Sequence, residues 1–435
     1  MATTAFLTDK YEITMLQASL ESGLAQKQAV FELFARKLPE GRRYGVVAGT
    51  GRVIEAVENF RFTEEQIAYL EADPVINENT IDYLRNFKFS GRITGYHEGD
   101  LYFPNSPILT VEGTFGECVL LETVLLSIMN YDSAVASAAS RMVQAAHGMP
   151  IIEMGSRRAH DQAAVAAARA AYIVGFTATS NLEAGMTYGI PTTGTSAHAF
   201  SLAHHDEKEA FRQQVKALGV GTTLLVDTFD IAQGIRNAVE VAGTELGGIR
   251  IDSGDLYEET ENARKLLDEL GAKHTKIILS SDIDEYVINE LVDRDTPVDG
   301  IGAGTKVVTG SGHPTAGMVY KLVAIEEDNG TMRPVAKKAS GKKSVGGRKW
   351  AWRRTDSAGY ASHEIIFVRE NREFLKQYVS TPTERTLQHV FIEDGETVFA
   401  PTLEAVRRHH KVSMAELRMG DKTITNGTPA ISANI

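Results

Sequence analysis

One cysteine, Cys118, stands in 435 residues, so a disulfide framework within the chain is impossible. That scarcity suits a reducing cytosol. The opening stretch, MATTAFLTDKYEIT, lacks a basic segment followed by an apolar run, so no signal peptide is readable there. Long hydrophobic runs are missing too. The most apolar stretch, Ala163 to Phe176, is interrupted by Arg169 and is too short to span a bilayer, so no membrane partner is expected. Positive charge is in deficit, with a net charge of −12. A general nucleic-acid binder needs a positive face for the phosphate backbone, so that class is disfavoured. A local basic pocket for a small anion stays open. There is no internal repeat or long low-complexity tract. Neither GxGxxG nor GxxxxGK[ST] occurs in a setting that would support a dinucleotide-binding Rossmann domain or a P-loop ATPase.

What is present is an ordinary globular composition, 43% hydrophobic and 23% charged. A chain of this length buries a large core and suggests two or three domains. Three zones differ in texture. Residues 1–115 mix helical and strand patterns and read as an N-terminal α/β domain. Thr63 reads as a helix N-cap, with Glu64 and Glu65 in the first turn. Ile93 to Val111 reads as strands separated by Gly99, Pro104 and Pro107. Residues 116–320 read as a β/α barrel domain. Seven short apolar runs, MPIIEMG, AYIVGF, IPTTGT, TLLVDT, GGIRID, KIILSSD and DGIGAGT, look like buried parallel strands. Ala203–Leu218, Ile231–Val241 and Leu256–Leu270 read as helices between them. Such alternation implies right-handed βαβ units and an irregular (β/α) barrel of about seven strands. Residues 321–435 form a C-terminal segment expected to pack on the N-terminal domain. It contains the basic segment AKKASGKKSVGGRKWAWRR (336–354), which reads either as a solvated surface hairpin or as an anion-contacting flap. The tail after about Arg418 reads as disordered.

The apolar runs finish on polar or special residues. In order these are Glu153 with Arg157, Phe176, Thr195 with His198, Asp227, Arg250 with Asp252, Ser280 with Asp282, and Gly302, Gly304 and Thr305. In a β/α barrel the C-terminal strand ends share one mouth. One polar strand end means little, because most are turn or cap residues. Seven in succession, rich in arginine, aspartate and glycine, point to a site for an anionic substrate. Arg250 suits a carboxylate or phosphate through two parallel hydrogen bonds. Asp252 and its neighbours suit ribose hydroxyls or Mg²⁺, while Ser253 or Asp255 also reads as a helix cap. Gly302, Gly304 and Thr305 offer unobstructed backbone N–H groups for a phosphate, or else form only a tight turn. Of Arg157 and Arg158, one suits an anion and the other a partner such as Glu153. Phe176 reads more simply as a core aromatic than as a stacking platform.

Together these residues resemble the nicotinate phosphoribosyltransferase family. The resemblance rests on TDKYEITM, FELFARKLP (31–39), EMGSRRAHD, GFTATSNLEAG, GTSAHAF, LLVDTFD, GIRIDSGDL, GIGAGTKVVTG and GMVYKLV, in family order from Thr8 to about Val323. It implies the fold of type II phosphoribosyltransferases, usually a homodimer with the site at the subunit interface. It also implies roles. Tyr11, entering from the partner subunit, and Phe176 would stack on the pyridine ring. Thr195 and Arg250 would meet the nicotinate carboxylate. Arg157 would face phosphates, and Gly302, Gly304 and Thr305 would hold the 5-phosphate end. Asp227, Asp252 and Asp282, with Ser280, would serve ribose, Mg²⁺ or His198. His198 matches the histidine that the family phosphorylates with ATP, and imidazole chemistry allows this. The implied substrates are nicotinate, phosphoribosyl pyrophosphate and ATP, with Mg²⁺, in a cytoplasmic enzyme of NAD biosynthesis.

Three rival readings stand beside this one. A nicotinamide or quinolinate enzyme keeps the fold and changes the base. Thr195, where an acid would suit an amide, favours a carboxylate. A non-catalytic metabolite-binding scaffold would keep the glycines but could lose His198 or an aspartate. A generic barrel aldolase or isomerase would want a base at a strand end, and Lys306 lies one residue past the glycine turn.

Overall fold

The computed structural model describes residues 3–337, 345–369 and 381–434. It divides into two units, Met1–Ser137 with Thr315–Ile435, and Ala138–Pro314. The sequence reading set its boundaries instead at 115/116 and 320/321.

The first part of the first unit supplies β1 (Gln28–Ala35), β2 (Gly45–Val46), β3 (Arg92–Tyr96), β4 (Leu101–Tyr102) and β5 (Leu109–Thr114). The second unit supplies β6 (Ile151–Glu153), β7 (Ala178–Thr179), β8 (Thr223–Leu225), β9 (Gly248–Ile251), β10 (Lys276–Ser281) and β11 (Gly300–Ala303). The chain then returns to the first unit with β12 (Met318–Glu326), β13 (Met332–Pro334), β14 (Lys349–Thr355), β15 (Ala361–Val368), β16 (Glu384–Thr386), β17 (Gln388–Glu393), β18 (Glu396–Thr397) and β19 (Ser432–Asn434).

In the first unit, seven strands form an antiparallel sheet in the order β13-β12-β1-β5-β3-β17-β18. Strand β1 is central because seven of its eight residues, all but Gln28, are buried. Its Phe31 stacks on Tyr320 of β12 with ring centroids 4.8 Å apart. The Tyr320 hydroxyl donates to the Cys118 carbonyl at 3.0 Å, which satisfies the one polar atom of that buried ring. The helix Glu64–Glu71 begins as read. Thr63 accepts from the Gln66 N–H and the Gln66 side chain returns the bond, a capping box.

Two expectations for the C-terminal zone need correction. The basic segment is not a solvated hairpin where it is described, and residues 338–344 lie outside the described residues. Strand β14 is the core of a second sheet, β16-β14-β15-β19, and Arg348, Lys349 and Arg353 are buried with carboxylate partners. Opposite charge from distant segments compensates the buried cations, which residue counting along the chain cannot detect. The tail is also structured, since β19 pairs in parallel with β15.

The second unit is a parallel sheet in the order β7-β6-β11-β10-β9-β8. Its strands are short, and helices follow them at Asp161–Val174, Leu182–Tyr188, Ile231–Ala242, Leu256–Glu269, Glu285–Asp293 and Thr305–Val308. This is the barrel-like alternation of strand and helix expected from the sequence, with six strands in place of about seven and two local differences. The run AYIVGF is not a strand. Its first four residues end the helix Asp161–Val174, because the alanine-rich sequence before them continues a helix without a break. The run IPTTGT contributes one bridge, Thr192 to Thr179, rather than a full strand. The helices read at 203–218, 231–241 and 256–270 occur at Glu207–Leu218, Ile231–Ala242 and Leu256–Glu269.

Candidate active site

The parallel sheet aligns its strand ends, so residues from β6, β9, β10 and β11 meet around one cavity of about 320 Å³. Its lining includes Arg157, Arg250, Asp252, Ser280, Asp282, Gly302, Gly304 and Thr305, all expected from sequence. Met154, Arg158 and Ser281 line it as well. Arg158 is the second cation of the pair read after the first barrel strand. Met154 carries no chemical signal in the sequence, and Ser281 stands between the strand-end residues Ser280 and Asp282.

Arg250 is the most constrained cation here. Its Nε donates to Asp252 Oδ1 at 2.9 Å and its Nη2 to Asp252 Oδ2 at 2.7 Å, a two-point pairing. Nε also lies 2.7 Å from the Ser280 hydroxyl, which itself donates to Asp252. These bonds fix the plane of the guanidinium and leave Nη1 as the edge turned to no protein acceptor among the described residues. A residue held this way presents a pre-oriented charge to a ligand.

A second network starts at Asp227, just beyond β8. Its Oδ1 lies 2.9 Å from Nε2 of His198. Its Oδ2 accepts from the Asp252 N–H at 2.9 Å and from the Ser253 hydroxyl at 2.6 Å. Burial alone would raise the Asp227 carboxyl, but donation from Ser253, Asp252 and His198 outweighs it and holds the group below its ordinary range. Asp227 is therefore an acceptor at neutral pH, and it faces His198 through Nε2, leaving Nδ1 as the ring nitrogen turned away from it. His198 opens the short helix His198–Leu202 and is partly exposed.

Strand β11 runs close to β10 and to Met154 just after β6. A Cβ on Gly302 would sit 2.7 Å from the Met154 sulfur and 3.0 Å from the Ser280 Cβ. A side chain there would have to push the Met154 thioether aside, and the chain then enters the short helix Thr305–Val308.

Other residues read from the sequence lie outside that lining. Glu153 does not pair with Arg157 or Arg158. It is fully buried and accepts from Thr179 Oγ1 at 2.6 Å and from the Gly155 N–H. Burial raises its carboxyl, and those two donors oppose the shift. Phe176 is fully buried after the helix Asp161–Val174 and is not among the cavity-lining residues. Thr195 sits in an exposed loop outside that lining. Tyr11 belongs to the first unit and is 49% exposed. Partial burial together with Glu122 and Glu12 pushes its phenol up to about 12. Asp255 takes its simpler reading and caps the helix Leu256–Glu269, whereas Ser253 turns to Asp227 instead. Among the described residues, no group of three or more His, Cys, Asp or Glu side chains is arranged to hold a metal ion.

The model of the nicotinate phosphoribosyltransferase (NAPRTase) N-terminal domain matches residues 6–130, and that of the nicotinate phosphoribosyltransferase (NAPRTase) family matches residues 149–364. The chain belongs to the nicotinate phosphoribosyltransferase family. Nicotinate phosphoribosyltransferase pncB1 of Mycobacterium tuberculosis is 51% identical over 433 residues, covering 98% of this chain and 94% of that protein. The nicotinate phosphoribosyltransferase of Bacillus subtilis is 42% identical over 365 residues, covering 82% of this chain and 74% of that one. The crystal structure of human nicotinic acid phosphoribosyltransferase matches with a TM-score of 0.84 at 24% identity, covering 98% of each chain, which establishes the shared fold. The cavity at the strand ends lies within the part matched by the family model, whereas Tyr11 lies in the N-terminal match. Among the described residues, no helix is long and apolar enough to cross a membrane.

Proposed function

We propose that the protein transfers a phosphoribosyl group from phosphoribosyl pyrophosphate to nicotinate, yielding nicotinate mononucleotide and pyrophosphate in NAD biosynthesis. The reaction is ATP-dependent and of the ligase type, coupled through phosphorylation of His198. The observation that carries this reading is the adjacency of two networks. Arg250, Asp252 and Ser280 form one, and the other is Asp227 with His198, joined to it through the Asp252 N–H.

Pyrophosphate leaves C1 of the ribose as the pyridine nitrogen takes its place, and positive charge grows at C1. Arg157 and Arg158 suit the phosphates, and the N–H groups near Gly304 and Thr305 suit the 5-phosphate. The free Nη1 edge of Arg250 suits the nicotinate carboxylate, with Thr195 on a loop that can complete that contact. When bound with the phosphates, Mg²⁺ neutralises the leaving group. Asp282, exposed on the cavity lining, is the carboxylate that fits it, because both oxygens of Asp252 are engaged. In the ATP step, His198 Nδ1 attacks the γ-phosphorus. The N–P bond forms as the P–O bond to ADP breaks, and water later releases phosphate.

The active form is a homodimer in which the half-exposed Tyr11 reaches the partner's site and stacks on the ring. The buried thiol of Cys118 suits a cytoplasmic setting.

Purified protein with Mg²⁺ and phosphoribosyl pyrophosphate would be given nicotinate, nicotinamide or quinolinate, each with and without ATP, beside His198→Ala. Product from nicotinate alone, stimulated by ATP in the wild type and not in the variant, is the expected outcome. Preference for nicotinamide would overturn the assignment of Arg250 and Thr195.

A further inference from the structure

We propose that Ser253 is a positioning residue for the histidine chemistry, holding Oδ2 of Asp227 so that Oδ1 stays aimed at Nε2 of His198. The inference rests on the phosphohistidine reading above and deepens it. A carboxylate has two oxygens and can rotate about its Cβ–Cγ bond. Asp227 is committed on both. The Asp252 N–H at 2.9 Å and the Ser253 hydroxyl at 2.6 Å share Oδ2, and His198 has Oδ1 at 2.9 Å. The backbone donor is fixed by the start of the turn, so the side-chain donor is the one a substitution can remove.

The local backbone is built for this contact. After β9 the chain turns at Gly254, whose φ is +89°, and a Cβ there would come 2.9 Å from Glu259 Cγ. That turn lets Ser253 face back to Asp227 while Asp255, two residues on, caps the following helix. Ser253 would be an ordinary cap residue by sequence, yet the capping bonds belong to Asp255.

The hydroxyl has an electrostatic consequence. The groups facing Asp227 are His198 from its short helix, the Asp252 N–H and Ser253 beyond β9, and Glu207 from the helix Glu207–Leu218. Ser253 is a donor to the ionised form of Asp227, and Glu207 is a like charge acting against it. Without Ser253 the carboxyl titrates at higher pH, and the His198 proton loses its fixed acceptor as the medium becomes acidic.

The test uses the full-length protein with Mg²⁺ and ATP labelled in the γ-phosphate, counting acid-labile label on the protein between pH 3.5 and 9. Wild type, Ser253→Ala, Ser253→Thr and His198→Ala are compared, with folding checked by urea titration. The expected result is that Ser253→Ala labels about tenfold more slowly near pH 6, the size of one charge-assisted hydrogen bond. Its acid limb also moves to higher pH, and Ser253→Thr restores both. Labelling by Ser253→Ala with the wild-type rate and pH profile overturns the inference. A loss that is uniform across pH and not restored by threonine overturns it as well, because that is the signature of a structural defect. If the wild type takes up no label dependent on His198, the phosphohistidine reading fails and the inference falls with it.

Discussion

Arg353 in the first unit and Arg250 in the second both meet carboxylates, in opposite surroundings. Arg353 is completely buried, with Nη1 2.9 Å from Asp100, Nη2 2.6 Å from Glu364 and Glu416 at 3.2 Å. Arg385 adds a second cation to Asp100 and Glu416. Burial alone would raise the Asp100 carboxyl, but Arg385 and Arg353 overcome it and hold the group well below its ordinary range. Arg250 pairs with one acid on the lining of an open cavity and keeps an edge free. Arginine at a buried junction of segments supports structure, because each carboxylate around it already accepts from several protein donors. Arginine at the end of a parallel strand is held by the protein on one side only, and the other side remains for a ligand.

The largest effect expected from breaking this contrast is on stability. Arg353→Met strands buried carboxylates and should cost roughly 3–5 kcal/mol, read from the urea midpoint. A loss below about 1 kcal/mol, the range of exposed pairs, would erase the distinction between the two arginines. Arg250→Lys should behave in the reverse way. Stability should change by less than about 1 kcal/mol, because the pair is partly open to solvent. Meanwhile kcat/KM for nicotinate should fall on the order of 100-fold, since an ammonium cannot reproduce the planar two-point geometry. Equal loss of stability and activity would argue for a structural role.

Acid should also act on the first unit. His410 is buried with Nδ1 2.9 Å from the Gly99 carbonyl, and burial pushes it down to about 4. The unfolded chain therefore binds a proton that the folded state refuses. This contribution is complete above about pH 6.5 and is lost as pH falls toward the folded value. Urea midpoints at pH 7, 5.5 and 4.5 should decline, and His410→Gln should flatten the slope. The smallest effect belongs to a local contact. Thr63→Ala removes the cap of the helix Glu64–Glu71 and should cost about 1 kcal/mol, measurable by thermal melting.

The barrel strands and their polar ends were legible because both signals are local. An apolar run of strand length followed by a helix predicts a parallel strand, and parallel strands align their C-terminal ends. That is why Arg157, Arg250, Asp252, Ser280, Asp282, Gly302, Gly304 and Thr305 could be gathered from segments far apart and are found together. The failures also have physical causes. AYIVGF has strand composition, but the helix before it continues into it. The run KWAWRR reads as a basic surface from its charge, whereas distant acids neutralise it: Glu32 at Lys349, Asp100, Glu364 and Glu416 at Arg353, and Glu384 at Arg354.

By itself the sequence determined what depends on neighbours a few residues away: the caps at Thr63 and Asp255, the alternation of strand and helix, and the glycines of the turn after β11. Tertiary structure alone decided which oxygen of Asp227 faces His198, that Ser253 serves Asp227 rather than a helix end, and that Arg353 is buried beside Asp100. Helix caps are formed within one turn of chain. Ion pairs and hydrogen bonds between segments depend on where the backbone brings their ends, and Arg353 and Asp100 are 253 residues apart.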